Sequence, residues 1–231
     1  MHVSSGVEGF DRLVDGGLPA ERLYILCGPP GSGKTTFCAQ FAAAGARDGE
    51  KALFVSMHES KSDLAEDMSG FEFGFERAVE SDAISFLDTF TPGGRRFLGL
   101  TDGSHDRNGL SGRLVSYIDS NDIDRVVIDS TMLLRYLIDD EEDTLIDFLT
   151  ALKRADATVL IISEMTDPDA YATEHYLAHG VVFMHNYLDD GGMTRGIQVL
   201  KIRGVDCDTN IHELEFDDDG LHVGGATPLT P

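Results

Sequence analysis

Between residues 23 and 46 the chain passes through three kinds of sequence. An unbroken apolar run, Leu23-Tyr24-Ile25-Leu26-Cys27, leads into the octet Gly28-Pro29-Pro30-Gly31-Ser32-Gly33-Lys34-Thr35, and a stretch rich in small apolar residues continues to about Ala46. Five apolar residues without alternation predict a strand buried on both faces, the kind found in a parallel sheet. The octet fits the pattern GxxxxGK[ST]. Its glycines let successive backbone N–H groups turn toward one anion, and the helix that follows directs its N-terminus at the same point. Lysine at the seventh position reaches the β- and γ-phosphates, and the hydroxyl at the eighth ligates Mg²⁺. The segment therefore predicts ATP and Mg²⁺ as ligands. Gly28, Pro29, Pro30, Gly31, Ser32, Gly33, Lys34, Thr35 and Thr36 form the phosphate-binding set, with Thr35 also a metal ligand.

The rest of the chain repeats the strand-then-helix rhythm. Ala52–Met57, Ala83–Leu87, Arg125–Asp129 and Thr158–Ser163 read as further strands. Helical patterns follow at Ser60–Met68, Leu110–Ile118 and Asp143–Arg154. The Gly-, Arg- and Asp-rich segment 89–108 predicts a surface loop. Gly180–Tyr187, Gly196–Ile202 and Ile211–Phe216 read as late strands, joined by turns at Asp190-Gly191-Gly192 and Asp218-Asp219-Gly220. The expected fold class is α/β: a mostly parallel central sheet flanked by helices, with antiparallel strands toward the C-terminus. One domain over residues 1–224 is expected, with 225–231 as a flexible tail. Arg125-Val126-Val127-Ile128-Asp129 ends in an acid about 95 residues after the phosphate loop. A carboxylate at the C-terminal end of a strand can hold Mg²⁺, so Asp129 is the second expected metal ligand.

Composition narrows the setting. In 231 residues there are 41 acidic and 18 basic side chains, a formal net charge of −23. Self-repulsion of this size destabilises a compact state at low salt and is screened at molar salt, where the Debye length is about 3 Å. A halophilic cytosol is the expected environment. Hydrophobic content of 42% argues against disorder. The three cysteines, Cys27, Cys38 and Cys207, show no disulfide or zinc spacing and suit a reducing compartment. No run approaches the roughly 18 apolar residues of a membrane span, and the N-terminus lacks the basic-then-apolar order of a signal peptide. A cytoplasmic protein without membrane contact is expected.

An ordered series of short segments resembles the KaiC-like branch of RecA-type P-loop ATPases. It begins at Gly6-Val7-Glu8-Gly9-Phe10-Asp11-Arg12-Leu13 and Gly16-Gly17-Leu18-Pro19, similar to the family's entry segment. It continues through the phosphate loop, Leu53-Phe54-Val55-Ser56-Met57-His58-Glu59-Ser60, Val127-Ile128-Asp129-Ser130, Leu160-Ile161-Ile162-Ser163-Glu164 and Lys201-Ile202-Arg203-Gly204. The resemblance spans about residues 4 to 224. It implies a homo-oligomeric ring, usually a hexamer, with ATP between subunits. Lys201 and Arg203 would reach the γ-phosphate of the adjacent subunit, as an arginine finger does.

Two departures bear on activity. The family's first acidic position, which activates the attacking water, is His58 here, and only Glu59 remains of the acidic pair. Glu59 is the expected catalytic carboxylate, with His58 as the other candidate base, alongside Lys34, Lys201 and Arg203. Clock-type members carry a Ser-Thr pair where a loose alignment puts His175-Tyr176, and Thr173 is out of place, so no clock-like autokinase is predicted. His175, His179 and His185 lack a partnering acidic spacing, and an ordinary helix surface is the plainer reading than a metal site. The acidic run Asp139 to Asp143 reads as a helix N-terminal cluster.

The leading functional expectation is a Mg²⁺-dependent ATPase, slowed by His58 in place of the acid, acting as a regulatory switch through its own assembly or a protein partner. One alternative is a RecA-like accessory to DNA recombination or repair. Only Arg95, Arg96 and Arg107 offer themselves for a DNA channel, so DNA is the less favoured partner. The other alternative is a nucleotide-binding module without hydrolysis.

Overall fold

A computed structural model describes residues 1–100, 109–131, 142–189 and 192–228. Nine strands form one sheet in the order β11-β10-β9-β8-β3-β7-β6-β4-β5. They are β3 (Leu23–Cys27), β4 (Ala52–Ser56), β5 (Ile84–Asp88), β6 (Arg125–Asp129), β7 (Thr158–Ser163), β8 (Gly180–Asp189), β9 (Gly192–Ile202), β10 (Ile211–Asp217) and β11 (Gly220–Pro228). From β8 to β5 the neighbours run parallel. β8, β9, β10 and β11 run antiparallel. Two short strands, β1 (His2–Val3) and β2 (Leu18–Pro19), pair separately near the N-terminus. The α/β class with an antiparallel C-terminal extension is the observed fold.

Helices cover both faces. Tyr24 and Leu26 of β3 point into one core. There they meet α1 (Phe10–Leu13), α2 (Lys34–Arg47), α3 (Lys61–Met68) and α4 (Phe75–Glu80). Leu23, Ile25 and Cys27 point into the other, packed under α6 (Leu110–Asn121) and α7 (Glu142–Leu152). Alternate residues of one strand thus serve two cores, which is why β3, β4 and β6 are apolar without alternation.

Several local readings change. Segment 89–108 is not all loop: α5 spans Pro92–Phe97, capped by the Thr91 hydroxyl, which accepts from the Gly94 N–H. Proline at the first helical position and a threonine cap start a helix that the glycines alone disguise. Residues 101–108 lie outside the described residues, as do Arg107 and most of the acidic run from Asp139. At the C-terminus, β11 continues past Gly224 and pairs Pro228 with His212.

The parallel order has one consequence for function. Every strand from β8 to β5 ends on the same side of the sheet, and ligands in such folds sit beyond those ends. Cys27 is level with Ser163 and Phe183, and Ser56 with Asp129.

Candidate functional site at the strand ends

The loop between β3 and α2 turns on left-handed glycines. Gly28 has φ 147°, Gly31 77° and Gly33 100°. At Gly28 the constraint is also one of space: a Cβ there would lie 2.2 Å from the Met184 carbonyl oxygen of β8. The loop needs glycine because the neighbouring strand is in contact with it.

Lys34 donates from Nζ to the carbonyls of Gly28 (2.8 Å) and Pro29 (2.9 Å), so its ammonium lies across the loop. Burial lowers its pKa, while Glu164 and Asp129 pull it back up. Thr35 Oγ1 donates to Asp129 Oδ2 at 2.9 Å. The two expected metal ligands, 94 residues apart, are therefore in contact. Burial raises the Asp129 pKa; the Thr35 bond and His58 lower it. The Ser32 hydroxyl is buried with no hydrogen-bond partner. An orphaned hydroxyl, a cationic ammonium and left-handed glycines in one loop fit a polyphosphate. The Thr35–Asp129 pair fits a divalent cation bound through oxygen.

Around this centre lies a second polar layer. His58 Nε2 is 3.3 Å from Ser130 Oγ. Ser130 donates to Glu164 Oε1, and Thr131 donates to Glu164 Oε2 at 3.2 Å. Because the Ser130 proton is committed to Glu164, Ser130 Oγ can accept from His58 Nε2. Glu59 lies close by, its backbone N–H bonded to Ser56 Oγ at 3.1 Å. Burial raises the Glu59 pKa, with Asp129 and Asp67 adding to it and His58 opposing. Ser130 and Glu164 were legible only as pieces of the resembling segments; their junction at the ends of β6 and β7 takes the fold to see.

Lys201 and Arg203 are not part of this assembly. Lys201 is level with Val181 and so with Ile25 in the middle of β3. Arg203, just past β9, is level with the start of β3, through its N–H on the His179 carbonyl, at the end opposite the phosphate loop. Lys201 donates to the His175 carbonyl, and Arg203 Nη2 donates to the Tyr176 carbonyl at 2.7 Å.

The three histidines differ from the surface reading. His175, on the short helix α8 (Thr173–Leu177), is buried, and its Nδ1 accepts from the Ala172 N–H at 2.7 Å. His179 lies beyond that helix and accepts from the Leu23 N–H at 3.1 Å. His185 is buried and 3.1 Å from Gln198 Oε1. Among the described residues no group of three or more His, Cys, Asp or Glu could hold a metal. Arg95 and Arg96 lie on α5, and no described helix is long and apolar enough to cross a membrane.

The family model for the KaiC ATPases matches residues 3–227. The chain belongs to the KaiC ATPase family. A KaiC-like protein of known structure from Pyrococcus horikoshii superposes with a TM-score of 0.81 at 26% identity, covering 97% of this chain and 99% of that one. A circadian clock oscillator protein KaiC from Prochlorococcus marinus is 31% identical over 87% of this chain and 41% of its own length. The UPF0273 protein MK0039 of Methanopyrus kandleri is 28% identical over 96% of this chain and 91% of its own. The chain thus spans about two-fifths of the KaiC clock relative and most of the archaeal one. Membership makes this a RecA-type P-loop ATPase domain and implies nucleotide binding.

Proposed function

We propose that the protein binds ATP with Mg²⁺ at residues 28–36 and hydrolyses it slowly within a homo-oligomeric ring of hexameric type. It would act as a regulatory switch for a protein partner. The observation that carries this reading is the placement of the two charge centres. The phosphate loop lies at one end of β3, Arg203 is level with the other end, and Lys201 is level with Ile25 in the middle. Both cations bond to the carbonyls of His175 and Tyr176 and not to the loop of their own subunit. That arrangement leaves them to serve the γ-phosphate of a neighbouring copy. Lys34 would hold the phosphates, and Thr35 and Asp129 the metal, which supplies charge neutralisation at the transferred group. Lys201 and Arg203 would stabilise the charge that develops on the neighbour's γ-phosphate.

Glu59 and His58 are the candidate bases. The raised Glu59 pKa is the direction expected of a carboxylate that takes a proton. His58 stands where the family carries an acid, and that is why turnover is expected to be slow. The test is ATP turnover by Glu59→Gln and His58→Glu variants in molar KCl. Loss in the first assigns Glu59, and a gain in the second marks His58 as the brake. Tight ATP binding with no turnover in wild type or either variant would replace this reading with a nucleotide-sensing module. Tight single-stranded DNA binding at the same salt would favour the recombination accessory instead. Cytoplasmic residence belongs to the same proposal.

A further inference from the structure

Helix α8 ends in three successive carbonyls, and each accepts from a different cation. Lys201 takes His175, Arg203 takes Tyr176, and Lys153, just beyond α7, takes Leu177 at 3.0 Å. Arg22, in the residue before β3, donates from Nη1 to the carbonyl of Arg203 itself at 2.6 Å. The Arg203 N–H donates to the His179 carbonyl at 2.8 Å. Four cations from three places in the sequence therefore converge on residues 175–179 and 203. In a chain of net charge −23 this is a conspicuous concentration. Among the described residues, the ion pairs are made by Lys51, Arg125, His212 and His222, and Arg22, Lys153, Lys201 and Arg203 have no carboxylate within ion-pair distance. Their partners are carbonyl dipoles, which hold a cation in place at the C-terminal end of a helix without neutralising it. The mutual repulsion is visible at Lys201, whose pKa is lowered by burial and then by Arg203 and Lys153. His179 is lowered by burial and then by Lys153, Arg22 and Arg203.

We infer that Arg22 and Lys153 are positioning residues for the reaction. They pin the backbone of Arg203 and the end of α8, and so set the reach of Lys201 and Arg203 toward the γ-phosphate of the neighbouring subunit's nucleotide. The inference rests on the trans role proposed above for Lys201 and Arg203. It goes beyond that role because it assigns two residues from outside the Lys-x-Arg-Gly element. Loss of either pin leaves both finger side chains present but free to take other positions, which lowers transition-state stabilisation more than nucleotide binding.

The test uses mixed rings. A Lys34→Ala subunit has lost its own site but keeps its cations, whereas Arg22→Gln and Lys153→Met subunits keep their own sites. Alone, each of the latter is expected to lose about tenfold in kcat with KM within twofold of wild type. An equimolar mixture with Lys34→Ala is expected to recover turnover, because an intact site then meets an intact set of cations. Arg22→Lys and Lys153→Arg, which keep a donor, are expected to retain most activity unmixed and guard against a variant that fails to fold. A Lys201→Ala/Arg203→Ala double variant supplies the control. If it fails to recover on mixing with Lys34→Ala, the trans reading falls and the inference with it. If it recovers while Arg22→Gln and Lys153→Met keep full kcat unmixed, the trans reading stands and the inference is overturned. Loss of kcat without recovery on mixing would mean a purely structural role, which also overturns it.

Discussion

Replacing Gly28 by alanine probes the feature on which the phosphate loop depends. Two costs add. The backbone at φ 147° is strained for any residue with a Cβ, at about 1–3 kcal/mol. The new methyl would also lie 2.2 Å from the Met184 carbonyl oxygen, about 1 Å inside contact, so loop and β8 must separate. Overpacking of that kind costs about 1–3 kcal/mol. Together they take about 2–6 kcal/mol from a fold of this size, a drop in Tm of roughly 10 °C at the middle of that range. Gly49 is the internal control: its φ is 83°, but a Cβ there meets nothing within 4 Å. Gly49→Ala should cost about 1 kcal/mol and lower Tm by about 2–4 °C. Calorimetry on both variants, with ATP titrations at fixed Mg²⁺, separates strain from close approach. Gly28→Ala should also bind ATP at least tenfold more weakly, whereas Gly49→Ala should bind as wild type. A Gly28→Ala protein that melts with the Gly49 variant and keeps full affinity would refute the reasoning.

Three further outcomes follow from the same geometry. Asp129→Asn keeps an acceptor for Thr35 but not the charge, so Mg²⁺-dependent turnover should fall about 10²- to 10³-fold. Because burial raises the Asp129 pKa, its ionised form costs stability as pH rises through that pKa. The nucleotide-free Asn variant should therefore gain on wild type in thermal melts as pH rises from about 4, the ordinary carboxyl value, through the raised folded pKa of Asp129. Arg125, 1% exposed, bonds Glu50 and the carbonyls of Ser4 (2.7 Å) and Phe41 (2.9 Å). Arg125→Met should cost about 3–5 kcal/mol by denaturant titration, and turnover per folded molecule should not change. Burial pushes the Cys27 thiol up to about 12 and raises Cys38 as well, while Cys207 is half-exposed. A thiol reagent at pH 8 should therefore label Cys207 within minutes and the other two only on unfolding.

The strand–glycine loop–helix around residues 28–35 and the position of Asp129 at a strand end were legible because each is a contiguous pattern with its own strand beside it. The four-residue α1, the six-residue α4 and α5, and the end of β11 were not. Those helices are too short to show a period, and two begin after left-handed glycines, Gly9 and Gly74. The outer half of β11 earns its strand from pairing with β10 rather than from its own composition. The Ser130–Glu164 junction and the placement of Lys201 and Arg203 on the carbonyls of α8 depend on strand order, which local sequence does not carry. The helix-surface reading of His175 and His179 failed because α8 stops at Leu177, before His179, and because His175 is buried with its Nδ1 accepting from the Ala172 N–H.

The most direct test of the central claim is steady-state ATP hydrolysis by purified protein in molar KCl with Mg²⁺, beside the Lys34→Ala variant. The account predicts slow Mg²⁺-dependent turnover that rises with protein concentration as rings assemble and is lost in Lys34→Ala. Turnover per subunit that does not change with concentration, or that persists in Lys34→Ala, would contradict it.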